Sequence, residues 1–532
     1  MTTVCIELMT QYILSMNPGV GGAGSHDPAA VLFEDGKPVF GIEEERLTRQ
    51  KHATNTFPHQ AISACLDSRE ISLSDVEKVA IPWKPSLFPR MVPNLVRRMV
   101  AQDGPALDRA KHAGWRVKSE LRSGLLGKRT VESHLREVDS SPPPLVTHEH
   151  HKSHAASAFY PASFDEALVV TMDARGERDA TVVWWGDESG LTRLKTHDYT
   201  NSLGYFYGGV TRFLGFRPNN GEGKVMGLAP YGEKNEDIER ALRSVVETGA
   251  DYDITGLSQG FEYATSRLEE LFDRPRKQSA SEFNQWEKDL AFTAQSLLEE
   301  IVTNVVDTYC ERLGTGNVAL AGGVALNCKM NKRIRELDRV DTLFIQPVAG
   351  DAGVAVGGAL EPFDPGGAAS LKTVYLGPSF SNSEIRDILE QNKLEYREPD
   401  NLYQFVAERI AEGNLVGWFQ GAVEMGPRAL GNRSILADPR DAASRNRVNK
   451  YVKHREEWRP FAPSLKESAA ADYFLDATTA PFMIQTFEVK PDRASEIPAV
   501  LHPEDDTARP QTVREDQNAR YYRLLSAFED IT

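Results

Sequence analysis

Between His148 and Glu177 the chain reads H-E-H-H-K-S-H-A-A-S-A-F-Y-P-A-S-F-D-E-A-L-V-V-T-M-D-A-R-G-E, bringing imidazoles, a strand-like run and carboxylates together. His150 and His154 are four residues apart, so a helix here presents both imidazoles on one face. The small residues Ala155, Ala156, Ser157 and Ala158 suit a helix packed closely against its neighbours. Ala167–Met172 reads as a buried strand and leaves Asp173 at its carboxyl end, where ligands of open α/β sheets gather. Two neutral imidazoles and a carboxylate, with coordination positions left open, suit a catalytic divalent metal such as iron or zinc. His148 and His151 compete as ligands. The plainer alternative is a solvated helix start, with Asp173 capping a turn.

The elements that would hold these residues follow from the flanking pattern. Gln11–Met16 reads as a first strand, leading into a glycine-rich loop from Asn17 that carries His26 and Asp27. Two apolar strands then flank the tight Asp35-Gly36 turn. Strand, polar loop and hairpin is how actin-like and sugar-kinase-like folds begin. Met172–Gly186 repeats strand, acid-glycine turn and strand, matching a second phosphate loop. The charge run Glu43–His52 reads as a solvated helix face with a substrate-facing edge, and residues 58–140 as a polar helical insertion. In the run N-N-G-E-G-K-V-M-G-L-A-P-Y-G, from Asn219 to Gly232, the glycines permit close backbone approach and Lys224 can neutralise a phosphate. Residues 280–312 read as a long amphipathic helix. Next, Asn317–Asn327 reads strand, Gly322-Gly323, helix start: the glycines leave room for a flat ring such as adenine, and Asn327 can cap the helix or contact a ribose. Asp351 stands at a further strand-to-helix turn among glycines, a setting for a metal-facing or phosphate-facing carboxylate.

Residues 366–371 read as a linker, giving domains at 1–365 and 372–532. In the second domain Arg428, Arg433, Lys453, Arg455 and Arg459 lie among glycines and prolines, the composition that bidentate phosphate binding demands. That concentration stands out because the formal charge of the 532-residue chain is 61 − 77 = −16, which disfavours nucleic acid as the main partner. Cys5, Cys65, Cys310 and Cys328 are scattered, which argues against a zinc ribbon or disulfide scaffold. No apolar run approaches the ~20 residues of a membrane helix, and Met1–Met16 lacks the basic start of a signal peptide. The expectation is a cytoplasmic protein with no membrane partner.

Together these motifs resemble the NodU/CmcH O-carbamoyltransferase family along nearly all of the chain from Gln11 onward. The resemblance is carried by S-H-D-P-A-A-V-L-F-E-D-G, E-E-E-R-L-T-R-Q-K-H-A, H-H-K-S-H-A-A-S-A-F, G-E-G-K-V-M-G-L-A-P-Y-G, A-G-G-V-A-L-N, G-D-A-G-V-A-V-G, G-P-R-A-L-G-N-R-S-I and R-P-F-A-P. It implies an actin-like (ASKHA) two-lobed ATP-binding domain followed by a YrdC-like α/β domain. The implied enzyme releases carbamate from carbamoyl phosphate, joins it to ATP as carbamoyl adenylate, and transfers the carbamoyl group to a small-molecule hydroxyl. By position, the resemblance makes His150, His154 and Asp351 metal ligands, with Asp173 beside the metal and the ATP phosphates. It makes Lys224, Gly322, Gly323 and Asn327 nucleotide-facing, and Arg428, Lys453, Arg459 and Arg509 ligands of carbamoyl phosphate. His26 and Asp27 fall where the acceptor approaches, with the carboxylate there as candidate base for the hydroxyl. Fe2+ is the expected ion, with Zn2+ or Mn2+ as alternatives and Mg2+ accompanying ATP.

Family members usually continue past the equivalent of Phe528 into a strand carrying an Asn-Thr-Ser-Phe-Asn motif. The expectation is therefore a second domain without its closing strand, impaired in the carbamoyl phosphate step. The competing readings are an actin-like small-molecule kinase or ATPase, and a truncated, non-catalytic relic. Homo-oligomerisation and the acceptor's identity stay open.

Overall fold

The apolar runs around the first glycine-rich loop pair as strands: β1 (Tyr12–Asn17), β2 (Ala29–Glu34) and β3 (Lys37–Glu43). β1 and β2 are antiparallel, as are β2 and β3 across the Asp35-Gly36 turn. The computed structural model describes residues 10–20, 26–92, 106–360, 371–456 and 458–532. Over these the chain is a mixed α/β protein. It divides into two units by internal contact. The first comprises Met1–Tyr199, Asn317–Val324 and Phe344–Leu371; the second comprises Thr200–Gly316, Ala325–Leu343 and Lys372–Thr532.

In the first unit β1 also pairs in parallel with β4 (Lys78–Ile81), which pairs in parallel with β5 (Leu145–Thr147), giving a sheet ordered β3-β2-β1-β4-β5. The stretch 58–140, expected to be a helical insertion, thus also contains β4, beside the helices His59–Asp67 and Ala106–Val138. The second sheet is ordered β10-β9-β6-β7-β8, from β6 (Ala167–Met172), β7 (Asp179–Asp187), β8 (Gly190–Asp198), β9 (Asn317–Ala321) and β10 (Thr342–Ile345). Every residue of β6 is buried, as its unbroken apolar run requires. Burying each of its Leu and Val side chains stabilises the sheet by about 1.5–3 kcal/mol. The helices His150–Phe159 and Val354–Leu360 pack on one another.

In the second unit the helix Gln285–Leu313 starts in a capping box, with Asn284 and Glu287 satisfying each other's backbone N–H, and ends on Gly314 in the left-handed region. β11 (Val416–Phe419) and β12 (Arg433–Leu436) form a two-stranded antiparallel ladder beside the loop that carries Arg428. Of the expected linker 366–371, residues 366–370 lie outside the described residues. Cys65, Cys310 and Cys328 are free and buried. Among the described residues no helix is long and apolar enough to cross a membrane.

Candidate functional site

Strand register assembles the first site. β6 runs antiparallel to β7 and parallel to β9, with Thr171 opposite Ala321, so Asp173 and the Gly322-Gly323 turn leave the sheet at one edge. Gly322 has φ +93°, and a Cβ there would lie 2.1 Å from the Met172 carbonyl oxygen. The glycine is therefore required by this strand-end crossing, whether or not a ring lies against it. A Cβ on Gly323 would meet Asp173 Oδ1 at 3.1 Å. The helix His150–Phe159 follows the carboxyl end of β5, and Asp351 opens the short turn before Val354–Leu360.

These elements bring four donors together. His150 Nε2 lies 3.1 Å from His154 Nε2, 3.2 Å from Asp173 Oδ2 and 3.6 Å from Asp351 Oδ1. His154 Nε2 lies 3.4 Å from Asp173 Oδ2 and 3.9 Å from Asp351 Oδ1. Metal bonds of about 2.1 Å place neighbouring donors roughly 3.0 Å apart in an octahedron and roughly 3.4 Å apart in a tetrahedron. The observed set, all within 4.8 Å of one another, needs little closure to hold a cation. His151 belongs to a different network: its Nδ1 faces Thr171 Oγ1 and its Nε2 the Asp179 carbonyl, both at 3.0 Å.

Charge agrees with that geometry. Burial and the neighbouring His154 push His150 down to about 4, against Asp173 and the Pro82 carbonyl, so its ring is neutral near pH 7. Asp173 is half-buried, and although desolvation acts to raise it, hydrogen bonds from the two imidazoles hold it well below the usual carboxylate range. Burial and the Asp173 charge push Asp351 well above that range. Opposed shifts on two adjoining carboxylates mark a concentration of negative charge that a divalent cation would relieve.

His26 and Asp27 stand at the rim of this centre. His26 Nδ1 lies 2.9 Å from Asp27 Oδ2, and His26 Nε2 lies 3.7 Å from Asp351 Oδ2. His52 Nδ1 lies 2.7 Å from Asp27 Oδ1, so Asp27 sits between two imidazoles. Their hydrogen bonds outweigh burial and depress the Asp27 carboxyl. Burial alone would lower His26, but Asp351, Asp27 and Asp173 raise it to about 9. Asp27 and His52 both adopt φ near +60°, a conformation costly for residues with a Cβ. Asn17, at the carboxyl end of β1, holds the loop by donating to the His26 and Asp27 carbonyls at 3.0 Å each. Asn17, His52 and the buried Glu177 are site residues that sequence reading did not single out. The available signal was a polar residue ending an apolar strand and a carboxylate beside a glycine.

The second unit gathers the other predicted residues. Lys224, on the short helix Glu222–Leu228, pairs with Glu456 Oε1 at 3.0 Å. Glu456 Oε2 lies 3.8 Å from Arg459. Burial and then Arg509 act against the Arg428 charge; burial and then Arg459 act against that of Arg455. Lys453 is lowered by burial, Arg455, Arg433 and Arg459. The Nε atoms of Arg428 and Arg509 are buried without a hydrogen-bond partner. Crowded, partly unsatisfied guanidinium groups are what an anion would relieve. Glu424 shapes the Arg428 loop: its Oε1 accepts N–H from Leu430, Asn432 and Arg433 at 2.7, 2.9 and 3.1 Å. Asn327 caps the helix Cys328–Arg335 by accepting the Met330 N–H, and exchanges two amide hydrogen bonds with Gln295.

Fold and centre thus define a mixed α/β protein with a largely buried two-His, two-Asp cluster suited to a divalent cation. The chain matches the carbamoyltransferase N-terminus model over residues 19–360 and the carbamoyltransferase C-terminus model over residues 407–532. It belongs to the carbamoyltransferase family, as the sequence motifs implied, and is a carbamoyltransferase enzyme. The uncharacterized protein sll1178 of Synechocystis sp. is 37% identical over 95% of this chain and 88% of its own length. Nodulation protein NolNO of Sinorhizobium fredii is 34% identical over 95% of this chain and 72% of its own. A 3'-hydroxymethylcephem-O-carbamoyltransferase of Amycolatopsis lactamdurans is 28% identical over 71% of this chain and 70% of its own. Among solved structures, T. kodakarensis HypF matches at TM-score 0.33 and 14% identity, over 68% of this chain and 49% of that one, a likeness too slight to define a fold. The family implies a carbamoyl donor and a small-molecule acceptor.

Proposed function

We propose that the chain is an ATP-dependent O-carbamoyltransferase with an actin-like adenylating domain and a YrdC-like carbamoyl phosphate domain. In the basic cluster, water and carbamoyl phosphate give carbamate and phosphate, with Arg428, Lys453, Arg459 and Arg509 holding the phosphate oxygens. A carbamate oxygen attacks the α-phosphorus of ATP, the bond to pyrophosphate breaks, and carbamoyl adenylate forms. The acceptor hydroxyl then attacks the carbamoyl carbon, its proton passes to a base, and AMP leaves. The Asp27 carboxylate, held between His26 and His52 at the rim of the centre, is the proposed acceptor-side base.

Lys224 and the Gly322-Gly323 turn are assigned to the nucleotide, and Asn327 fixes the helix start beyond that turn. His150, His154, Asp173 and Asp351 would hold the divalent cation. When bound, the cation supplies Lewis-acid polarisation of nucleotide or carbamoyl oxygens. Fe2+ is assigned, with Zn2+ or Mn2+ as alternatives and Mg2+ accompanying ATP. ATP and carbamoyl phosphate as substrates imply work in the cytoplasm.

The observation that carries this reading is the convergence of the four donors beside His26 and Asp27 in a carbamoyltransferase-family chain. Its test is exchange of labelled pyrophosphate into ATP. The account requires exchange that depends on carbamoyl phosphate, with AMP as the product of turnover. ADP formed without carbamoyl phosphate would instead mark a kinase or ATPase.

A further inference from the structure

The helix that carries the two imidazoles starts without a local cap. Its N-cap residue, Glu149, makes no side-chain cap hydrogen bond. The Glu149 carboxylate instead accepts from Arg193 Nη2 at 2.6 Å. The His150 N–H, among the donors a helix start leaves unsatisfied, is accepted from afar by Glu177, at 3.1 Å by Oε1 and 3.2 Å by Oε2. Glu177 Oε1 also accepts the Lys84 N–H at 2.6 Å.

Three segments of the centre meet on this one buried carboxylate. The first is the start of the helix bearing His150 and His154. The second is the turn between β6 and β7, which holds Asp173 four residues before Glu177. The third is Pro82–Lys84, where the Trp83 ring stacks on the His150 ring at 4.0 Å between centroids and 28° between planes. The turn is already tight against the helix: a Cβ on Gly176 would lie 2.8 Å from a His151 ring carbon. Glu177 has no atom among the four donors, so it acts on them through backbone it holds.

We infer that Glu177 is a positioning residue of the metal centre: its carboxylate ties the imidazole-bearing helix to the Asp173 turn and so sets the donor spacing. The inference rests on the metal reading above. Partners behind metal ligands typically change metal affinity about 10- to 100-fold when removed. A carboxylate that only satisfied buried N–H groups would change stability and leave the donor spacing alone.

Measurements on the full chain separate these roles. Co2+ alone is titrated into metal-free wild type, Glu177→Gln and Glu177→Ala, followed by calorimetry and visible absorption, with the metal-free unfolding midpoint of each recorded. Glu177→Gln keeps the size and one acceptor oxygen but turns an NH2 toward backbone donors. The expected result is a folded Glu177→Gln that binds Co2+ about 10- to 100-fold more weakly, with an altered spectrum. Wild-type Co2+ affinity and spectrum in both variants would overturn the inference, whatever their midpoints. If Glu177→Ala fails to fold, the Glu177→Gln comparison decides alone. A wild type that takes up no Co2+ would overturn the metal reading itself, and the inference with it.

Discussion

Gly357→Ala tests how the imidazole-bearing helix is seated. Gly357 lies in Val354–Leu360, and a Cβ there would sit 1.7 Å from the Ser153 carbonyl oxygen, 2.6 Å from its carbon and 3.0 Å from the Ser157 nitrogen. Ordinary van der Waals contact begins at about 3.5 Å, so the helices must part by roughly 1.8 Å or deform. Ser153 immediately precedes His154, whose Nε2 lies 3.1–3.9 Å from the other donors. Metal sites tolerate errors of about 0.2 Å in bond length, so even a third of that displacement breaks coordination. The overpacking costs about 1–3 kcal/mol of stability, and Co2+ affinity falls by on the order of 100-fold. Calorimetric Co2+ titration of the folded variant, with thermal unfolding, measures both. A Gly357→Ala protein that binds Co2+ like the wild type would refute the claim that this packing sets the donor geometry.

Further substitutions separate the sites. His154→Ala should abolish metal content and carbamoyl transfer while retaining the fold by circular dichroism; undiminished activity would exclude His154 as a ligand. Arg428→Ala should raise the KM for carbamoyl phosphate at least tenfold, about 1.4 kcal/mol, with the KM for ATP unchanged; an ATP-side defect alone would remove Arg428 from the phosphate pocket. Glu456→Gln frees Lys224 and Arg459 of their carboxylate, so inorganic phosphate should bind roughly fivefold more tightly, about 1 kcal/mol for partly exposed pairs; equal or weaker binding by calorimetry would contradict this. Burial pushes Glu177 up to about 7. Its folding contribution is therefore complete below about pH 4.5 and declines as pH rises through 7. Metal-free wild type should lose stability relative to Glu177→Gln across that window, by up to about 3 kcal/mol in urea unfolding, while a pH-independent difference would count against it.

The residues that chemistry demands in a fixed local pattern were legible in the sequence. The four-residue spacing of His150 and His154 and the acid ending the apolar run of β6 led directly to three of the four donors. Asp351 came from the same pattern of strand, acid and glycine. What sequence could not show are contacts fixed by tertiary packing. Glu177 reads as one more acid beside a glycine until its carboxylate is found on the His150 and Lys84 N–H groups. Gly357 reads as a flexible residue in an apolar helix until the Ser153 carbonyl is found against it. Gly322 was expected to make room for a ring, and the Met172 carbonyl supplies a different reason for it. Strand β4 was hidden inside a polar stretch because four residues are too few for periodicity to show.

Metal analysis of the purified full chain, wild type beside His154→Ala and Asp351→Asn, addresses the central claim most directly. One tightly held divalent ion per wild-type chain, lost from both variants together with carbamoyl-phosphate-dependent pyrophosphate exchange, is the predicted result. Equal metal content and equal exchange in all three proteins would contradict it.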